Sequence, residues 1–263
     1  MTCDTTDKLL EEAFAYFCME IQPKIQPYAD ALNKKLIASQ FTKELDQEKY
    51  FTYLRNVKKS IDLFREENIP IQAELSVMQQ QFGAIAGKMT VNVNGQEYTL
   101  QQAAKFLEDH NRELREEVYR KINERRLQDK DALHELYSQL IVRRDKVAHN
   151  AGFANYRDYR FKELGRFDYT KQDCTNFHEA VKKYVLPLVN IIYEKRKKKL
   201  GLDTLRPWDV EAQPEGTEPL HPFKTSEELI NKSIECSLFD RIYHYFIADW
   251  LLCACKIDKN NTV

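Results

Sequence analysis

The sequence predicts an all-α protein of many helices with one small β-hairpin near residues 89–99. Residues that break helices are scarce, with 7 glycines and 8 prolines among 263 residues. Apolar residues recur at steps of three and four through most of the chain, which is the period of one helix face. A single Asn-Gly pair, Asn94-Gly95, lies between two short runs of alternating residues and indicates the hairpin.

In the amino-terminal third, the apolar pattern predicts a series of helices, with prolines where helices are expected to end. The first stripe is expected to end at Pro23 and Pro27, and Asp30 is placed to cap a second helix over residues 31–38. A third stripe is expected to end at residues 68–70, and residues 71–81 form a fourth helix running towards Gly83 and Gly87. The apolar stripes are Leu10, Phe14, Phe17 and Ile21, then Leu54, Val57, Ile61 and Phe64.

The hairpin is followed by an explicit helix start. Met89–Val93 alternates with a period of two, and a type I′ turn at Asn94-Gly95 requires positive φ at both positions. Thr99 and Gln102 match a capping box, in which each side chain satisfies a backbone N–H of the other residue. A helix is therefore expected to open at Thr99.

The remaining helices follow the same reasoning. Apolar stripes predict two further helices. A short helix is expected at residues 156–164, between loops at Gly152 and Gly165. A long helix follows, in which Pro187 is expected to cause a kink and after which Gly201 takes the C′ position. Residues 202–224 contain four of the eight prolines and predict an irregular segment before a helix capped by Thr225. The stripes are Leu114, Val118, Ile122; Leu133, Leu136, Leu140; and Phe177, Val181, Tyr184, Leu188, Ile191.

Charge and composition exclude several functional classes. The chain has 40 Lys and Arg against 41 Asp and Glu, so no overall basic field favours nucleic acid. No stretch reaches the roughly 18 apolar residues expected of a membrane span. The six cysteines are scattered and predict free thiols in a reducing compartment, and residues 1–12 do not look like a signal peptide. We therefore expect a cytoplasmic protein without nucleic-acid or membrane partners.

Histidine spacing tests the sequence for a helical zinc peptidase. Such a site needs His-Glu-x-x-His, which places two imidazoles on one metal and a Glu beside its water. His134-Glu135 is followed by Ser138 and His178-Glu179 by Lys182, where the second histidine would stand. We therefore predict no catalytic, metal-binding or cofactor-binding residue in this chain.

Other candidate motifs have simpler structural interpretations. Cys253 and Cys255 form only one pair of soft ligands. The basic run 195–199 precedes a helix-ending glycine, which explains it without a ligand. Two loops look rigid and specific, and the sequence leaves open whether they serve packing or binding: residues 150–153 and 205–209.

Several phrases in order resemble the oligoendopeptidase F family of zinc metallopeptidases, in the wider thimet-oligopeptidase-like group. The resemblance covers about residues 8–236. The phrases are Gln79–Gly87, Tyr98–Ala103, Arg115–Arg120, Asn150–Tyr159, Leu164–Tyr169 and Leu205–Asp209.

The resemblance implies a helical fold around a deep channel and cytosolic zinc endopeptidases that cut short peptides. It assigns residues 1–95 to the amino-terminal helical lobe, 96–236 to the first part of the peptidase domain without its zinc site, and 237–263 to a divergent tail. Zinc belongs to the complete family, whose ligands are the histidines of His-Glu-x-x-His and a later Glu. None of these can be carried over to a residue of this chain.

The sequence thus predicts an internal piece of such a peptidase that is inactive alone. A truncated or frameshifted gene would explain an amino-terminal lobe that begins partway and an end before the metal-binding helices. Two alternatives stay open: a non-catalytic helical module that binds short peptides or a partner, and one half of a peptidase whose other chain supplies the zinc helices.

Overall fold

The computed structural model describes residues 7–217 and 222–239, with side chains described as far as residue 235. Helices make up well over half of these residues, and the strands of the described part form one two-stranded antiparallel hairpin. The predicted fold class is therefore confirmed. The chain divides into two compact units, of which the first ends at Ala212 and the second begins at Gln213.

The first helical region is longer than the prolines predicted. Helix α1 (Lys8–Tyr16), a π-helical turn (Phe17–Ile21) and helix α2 (Gln22–Ala38) follow one another in unbroken helical backbone. The prediction that Pro23 and Pro27 end the helix was wrong. Pro23 lies in the first turn of α2, directly after the π turn, where the wider hydrogen-bonding pattern accommodates a residue without an N–H.

Asp30 does not cap a helix. It lies in the middle of α2, is 8% exposed and pairs with Lys34 at 2.6 Å. Because the helix continues through it, no free backbone N–H groups are available for its carboxylate to cap. The cap at the true start is Asp7, whose Oδ1 accepts from the N–H of Leu9 at 2.9 Å.

Helix α3 (Phe51–Leu63) ends five residues before Asn68, and α4 (Asn68–Gly87) begins there. The expectation that residues 68–70 end the third helix was therefore wrong, since they start the fourth. Pro70 fits because the first N–H groups of a helix have no partner inside it.

The hairpin has the predicted turn. Strands β1 (Thr90–Val93) and β2 (Gln96–Thr99) pair with Val93 opposite Gln96, and Asn94 and Gly95 take φ of 54° and 85°. The capping box is also confirmed: Gln102 donates its N–H to Thr99 Oγ1 at 3.2 Å, and Thr99 donates its own to Gln102 Oε1 at 2.9 Å. This box opens helix α5 (Leu100–Ala104).

Two apolar cores hold the larger unit together. In one, the hairpin packs with α5 and α6 (Arg112–Gln128) around Met89, Val91, Val93, Leu100, Ala103, Val118 and Ile122. In the other, α4 packs with α7 (Lys130–Asn150) and α8 (Tyr156–Glu163) around Leu63, Ile71, Leu75, Met78, Leu136, Leu140, Val147, Ala148, Ala151 and Tyr159.

A second π turn precedes Pro187. Helix α9 (Lys171–Ala180), the π turn (Val181–Val185) and α10 (Leu186–Lys199) continue one another. The predicted C′ residue is confirmed, since Gly201 has φ of 64° and donates its N–H to the Lys198 carbonyl at 3.2 Å. After a short 3₁₀ turn at Pro207–Asp209, helix α11 (Ser226–Phe239) belongs to the second unit. Thr225 caps α11 by accepting from the Glu228 N–H at 3.1 Å.

Candidate functional site

The histidines singled out by the zinc test lie on separate helices. His134 is exposed on α7 and His178 is exposed on α9, where its ring lies 6.3 Å from that of Phe177. Glu135 accepts a hydrogen bond from Gln139 at 2.8 Å. Within residues 7–217 and 222–239, no three His, Cys, Asp or Glu side chains are grouped to hold a metal ion.

Four further candidate ligands, His221, His244, Cys253 and Cys255, fall outside the described residues. The described side chains therefore do not fit the zinc that the family resemblance implies, and no step through a metal can be derived for them. That the chain holds no metal stays a prediction.

The loop at residues 205–209 is organised by a buried carboxylate. Asp209 is fully buried, and both of its oxygens are occupied by donors. Arg112 donates from Nε to Oδ1 at 3.1 Å and from Nη2 to Oδ2 at 2.9 Å. Arg115 donates to Oδ1 and the Arg206 N–H to Oδ2, each at 2.9 Å. A carboxylate saturated in this way has no oxygen left to act as a base or a ligand.

Electrostatics keep Asp209 charged. Burial acts to raise the pKa of Asp209, but hydrogen bonds from Arg112, the Arg206 N–H and Arg115 outweigh it, so the pKa lies below its usual value. The bond to Asp209 correspondingly raises the pKa of Arg112. At neutral pH the cluster is therefore an ion pair that ties the loop to the start of α6.

The same loop is held from its other side by the basic run at the end of α10. Arg196 donates to the backbone carbonyls of Asp209 at 3.3 Å and Ala212 at 2.7 Å. Trp208 packs beside Tyr119, with ring centroids 5.7 Å apart, and under the guanidinium of Arg120. These contacts give the loop a structural role. Sequence reasoning singled out the loop and missed its partners, because Arg112 and Arg115 read as ordinary helix-surface residues.

The other loop singled out from the sequence, residues 150–153, also has a structural role. Asn68, buried at the start of α4, donates to the Val147 carbonyl at 3.0 Å and accepts from Asn150 Nδ2 at 2.8 Å. Gly152 takes a positive φ of 84°, which allows the chain to turn sharply after α7. These hydrogen bonds tie the start of α4 to the end of α7.

An open apolar groove lies between α4 and α7. Its volume is about 530 Å³, and its lining residues are Gln79, Phe82, Leu133, Leu136, Tyr137, Leu140 and Arg144. Phe82 and Tyr137 are 57% and 58% exposed. Arg144 holds its guanidinium 5.8 Å from the ring centroid of Tyr156, and its buried Nε has no hydrogen-bond partner in the described part of the chain. An apolar floor with a few polar groups is typical of a binding site.

A second unusual surface is the long helix formed by α9, the π turn and α10. No side chain between Lys171 and Lys199 is buried. Large apolar side chains gathered on an exposed helix are normally covered by other polypeptide. Its exposed large apolar residues are Phe177, Tyr184, Val185, Leu186, Leu188, Ile191, Ile192 and Tyr193.

Comparison with protein families gives two matches. The model of peptidase family M3 matches residues 105–243, just over half of the chain. The model of the peptidase M3 N-terminal domain matches residues 1–64. No curated protein matches the chain.

Solved structures share the fold. A protein assigned as an oligoendopeptidase F from Bacillus anthracis str. Ames aligns with a TM-score of 0.80 at 20% identity, covering 88% of this chain and 42% of its own. A second structure assigned as oligoendopeptidase F gives 0.81 at 19% identity, covering 88% and 41%. PZ peptidase A with an inhibitor gives 0.74 at 19% identity, covering 78% and 36%. The chain thus spans about two fifths of the length of these structures.

Proposed function

Because the chain belongs to peptidase family M3, we propose that it supplies a substrate-enclosing part of an oligoendopeptidase F-like zinc endopeptidase for short peptides, and does not hydrolyse peptides by itself. The observation that carries the proposal is the family match over residues 105–243 in a sequence without His-Glu-x-x-His. The fold shared with two oligoendopeptidase F structures supports it.

The chemistry explains why activity is not expected from these residues. Hydrolysis in the family uses a metal that lowers the pKa of a bound water to about 7, together with a carboxylate that takes its proton. The most buried carboxylate of the described residues, Asp209, already accepts hydrogen bonds from two arginines. Carboxylates without a metal or other oxyanion donor do not make an effective peptide hydrolase at neutral pH.

The test is an assay with internally quenched fluorescent peptides, using the purified chain with and without added zinc. We expect no turnover in either condition, and a chelator control identifies contaminating metallopeptidase. Chelator-sensitive turnover that persists through repurification, and is lost in His134→Ala or His178→Ala but kept in His149→Ala, would contradict the proposal. His149 is a matched control because it is exposed and faces Asp145 of its own helix.

A second candidate function is one half of a two-chain peptidase. It is favoured by the α9–α10 helix, which exposes eight large apolar residues and buries none. A separate chain that carries His-Glu-x-x-His would cover this helix. Co-purification with the product of a neighbouring reading frame of that type, with zinc-dependent cleavage appearing only in the mixture, tests the idea; a mixture that stays inactive contradicts it.

The third candidate is a non-catalytic module for short peptides or a partner, supported by the groove between α4 and α7.

Under each of these candidate functions, we propose that the protein is cytoplasmic. Cys18 and Cys174 are free thiols, as expected in a reducing compartment. No helix in the described ranges has both the length and the apolar character to cross a bilayer.

A further inference from the structure

The groove between α4 and α7 opens into two neighbouring depressions. One, of about 410 Å³, is lined by Phe82, Ala86, Met89, Leu100, Gln101, Ala104, Arg126 and Leu133. The other, of about 510 Å³, is lined by Asn123, Arg126, Leu127, Lys130, Leu133, His134 and Tyr137. All three share Leu133, so they form one continuous surface, which we call the α4–α7 trough.

The trough carries charge of one sign. Arg144 lies at one end and Arg126 and Lys130 at the other, while the lining residues include no Asp or Glu. None of these three cations has an ion pair within the described residues, although sixteen ion pairs form elsewhere in them. Asp129, which directly precedes Lys130, is held by Arg125.

The floor between the cations is apolar. Leu133, Leu136, Tyr137 and Leu140 recur at steps of three, one and three along α7, which places them on one face of the helix. Phe82 of α4 forms the facing wall. From Lys130 to Arg144 the helix rises by about 21 Å at roughly 1.5 Å per residue. An extended peptide of about six or seven residues spans that length at roughly 3.3 Å each.

We propose that the α4–α7 trough binds a short peptide segment that is apolar in its middle and carries a carboxylate near each end. The inference rests on the third candidate function, a peptide-binding module, and requires no peptidase activity. Apolar side chains of the segment lie on Leu133, Leu136 and Leu140. Its carboxylates pair with the guanidinium and ammonium groups that have no ion pair within the described residues. A guanidinium binds a carboxylate through two parallel hydrogen bonds.

The experiment is a fluorescence-polarisation titration of the full chain with a labelled seven-residue peptide, Glu-Leu-Phe-Leu-Leu-Leu-Glu, acetylated and amidated. Its matched control peptide has Lys in place of both Glu residues. We expect the Glu peptide to bind with micromolar affinity. The Lys peptide should bind more weakly by about tenfold or more. Raising the salt concentration should weaken binding of the Glu peptide, since exposed charges are screened.

Matched variants locate the site. Phe82→Ala and Arg144→Ala should each weaken the Glu peptide about tenfold. Phe41→Ala and Arg157→Ala are the controls and should leave binding unchanged, because neither residue lines the trough. Both side chains are exposed, at 62% for Phe41 and 71% for Arg157. Circular dichroism checks that each variant is folded.

A benzophenone-labelled Glu peptide, cross-linked to the unaltered chain and mapped by mass spectrometry, gives a readout that needs no variant. We expect cross-links to peptides from α4 and α7. Cross-links elsewhere, equal affinity for the Glu and Lys peptides, unchanged affinity in Phe82→Ala and Arg144→Ala, or no binding at 1 mM protein would each overturn the proposal. Whether or not the chain hydrolyses peptides bears on none of these readouts, so the two proposals fail independently.

Discussion

At the scale of single residues, the most constrained group in the described chain is Asp209. It lies 94 to 97 positions from the arginines that bind it and holds the loop at 205–209 against α6. Arg115 extends this clamp by donating to the backbone carbonyls of Trp208, Asp109 and His110 at 3.1, 2.7 and 3.0 Å. A buried ion pair of this kind contributes most visibly when one partner is removed.

Asp209→Asn should lower the free energy of unfolding by about 3–5 kcal/mol at pH 7, because two arginines lose their counter-charge. The pKa of Asp209 is lowered in the folded protein, so its contribution is complete above the unfolded pKa of about 3.9 and is lost as pH falls through the folded pKa. Urea unfolding at several pH values measures this, and the gap between the native chain and the variant should narrow below about pH 4.

The control for this variant is Asp203→Asn, on the same connecting segment. Asp203 is exposed, so its replacement should change stability by no more than about 0.5 kcal/mol. An equal loss in both variants, or a gap for Asp209→Asn that does not depend on pH, would contradict the role assigned to the ion pair.

At the scale of elements, two features depend on backbone geometry rather than on side-chain contacts. The hairpin turn requires positive φ at Gly95, whereas Gly83 lies inside α4 with no atoms within 4 Å of the position of a new Cβ. The same glycine-to-alanine change therefore meets opposite conditions at the two sites.

Gly83→Ala should stabilise the protein by about 0.5–1 kcal/mol, because alanine loses less backbone entropy in a helix. Gly95→Ala should destabilise it by about 1–2 kcal/mol, because an L side chain is strained at φ of 85°. Thermal and urea unfolding of both variants measure the effects. Two shifts of the same sign would rule out this account of the turn and the helix.

The prolines show how element boundaries escape local rules. Pro23 and Pro187 each follow a π turn, and helical backbone continues on both sides. The missing N–H of a proline predicts a helix end or kink from sequence, but one residue inserted into the hydrogen-bond ladder lets the helix continue past both prolines. The kink expected at Pro187 stays a prediction.

At the scale of the whole molecule, the chain has the fold of part of an M3 peptidase. It also has apolar surfaces that no other described element covers. Two of these surfaces, among the described residues, are the α9–α10 helix and the α4–α7 trough. Apolar patches of this kind mark places where other polypeptide binds.

Purified chain should hold no stoichiometric zinc. Its exposed His134 and His178 lie on separate helices, and neither has a second histidine one turn away, whereas a tight site needs at least three ligands around one metal. Elemental analysis after dialysis against buffer with micromolar zinc should give well under about 0.2 zinc per chain. About one zinc per chain that survives dialysis would refute this prediction, and His134→Ala and His178→Ala would then be measured beside His149→Ala.

The sequence by itself determined the helical class, the hairpin, the capping box of Thr99 and Gln102, the cap at Thr225 and the glycine after α10. Each depends on residues within a few positions of one another, so the local period, φ requirement or side-chain bond can be read directly along the chain. The sequence also carried the resemblance to a zinc peptidase family, and the M3 family match agrees with it.

Only the tertiary structure decided which polar residues meet and which apolar faces stay open. The arginine partners of Asp209, the link between Asn68 and Asn150, and the trough between α4 and α7 all join segments separated by about fifty or more residues. Local periodicity predicts which face of a helix is apolar, but not which face another helix will cover. Burial, and therefore the charge state of Asp209 and the exposure of the trough, is set by packing between distant elements.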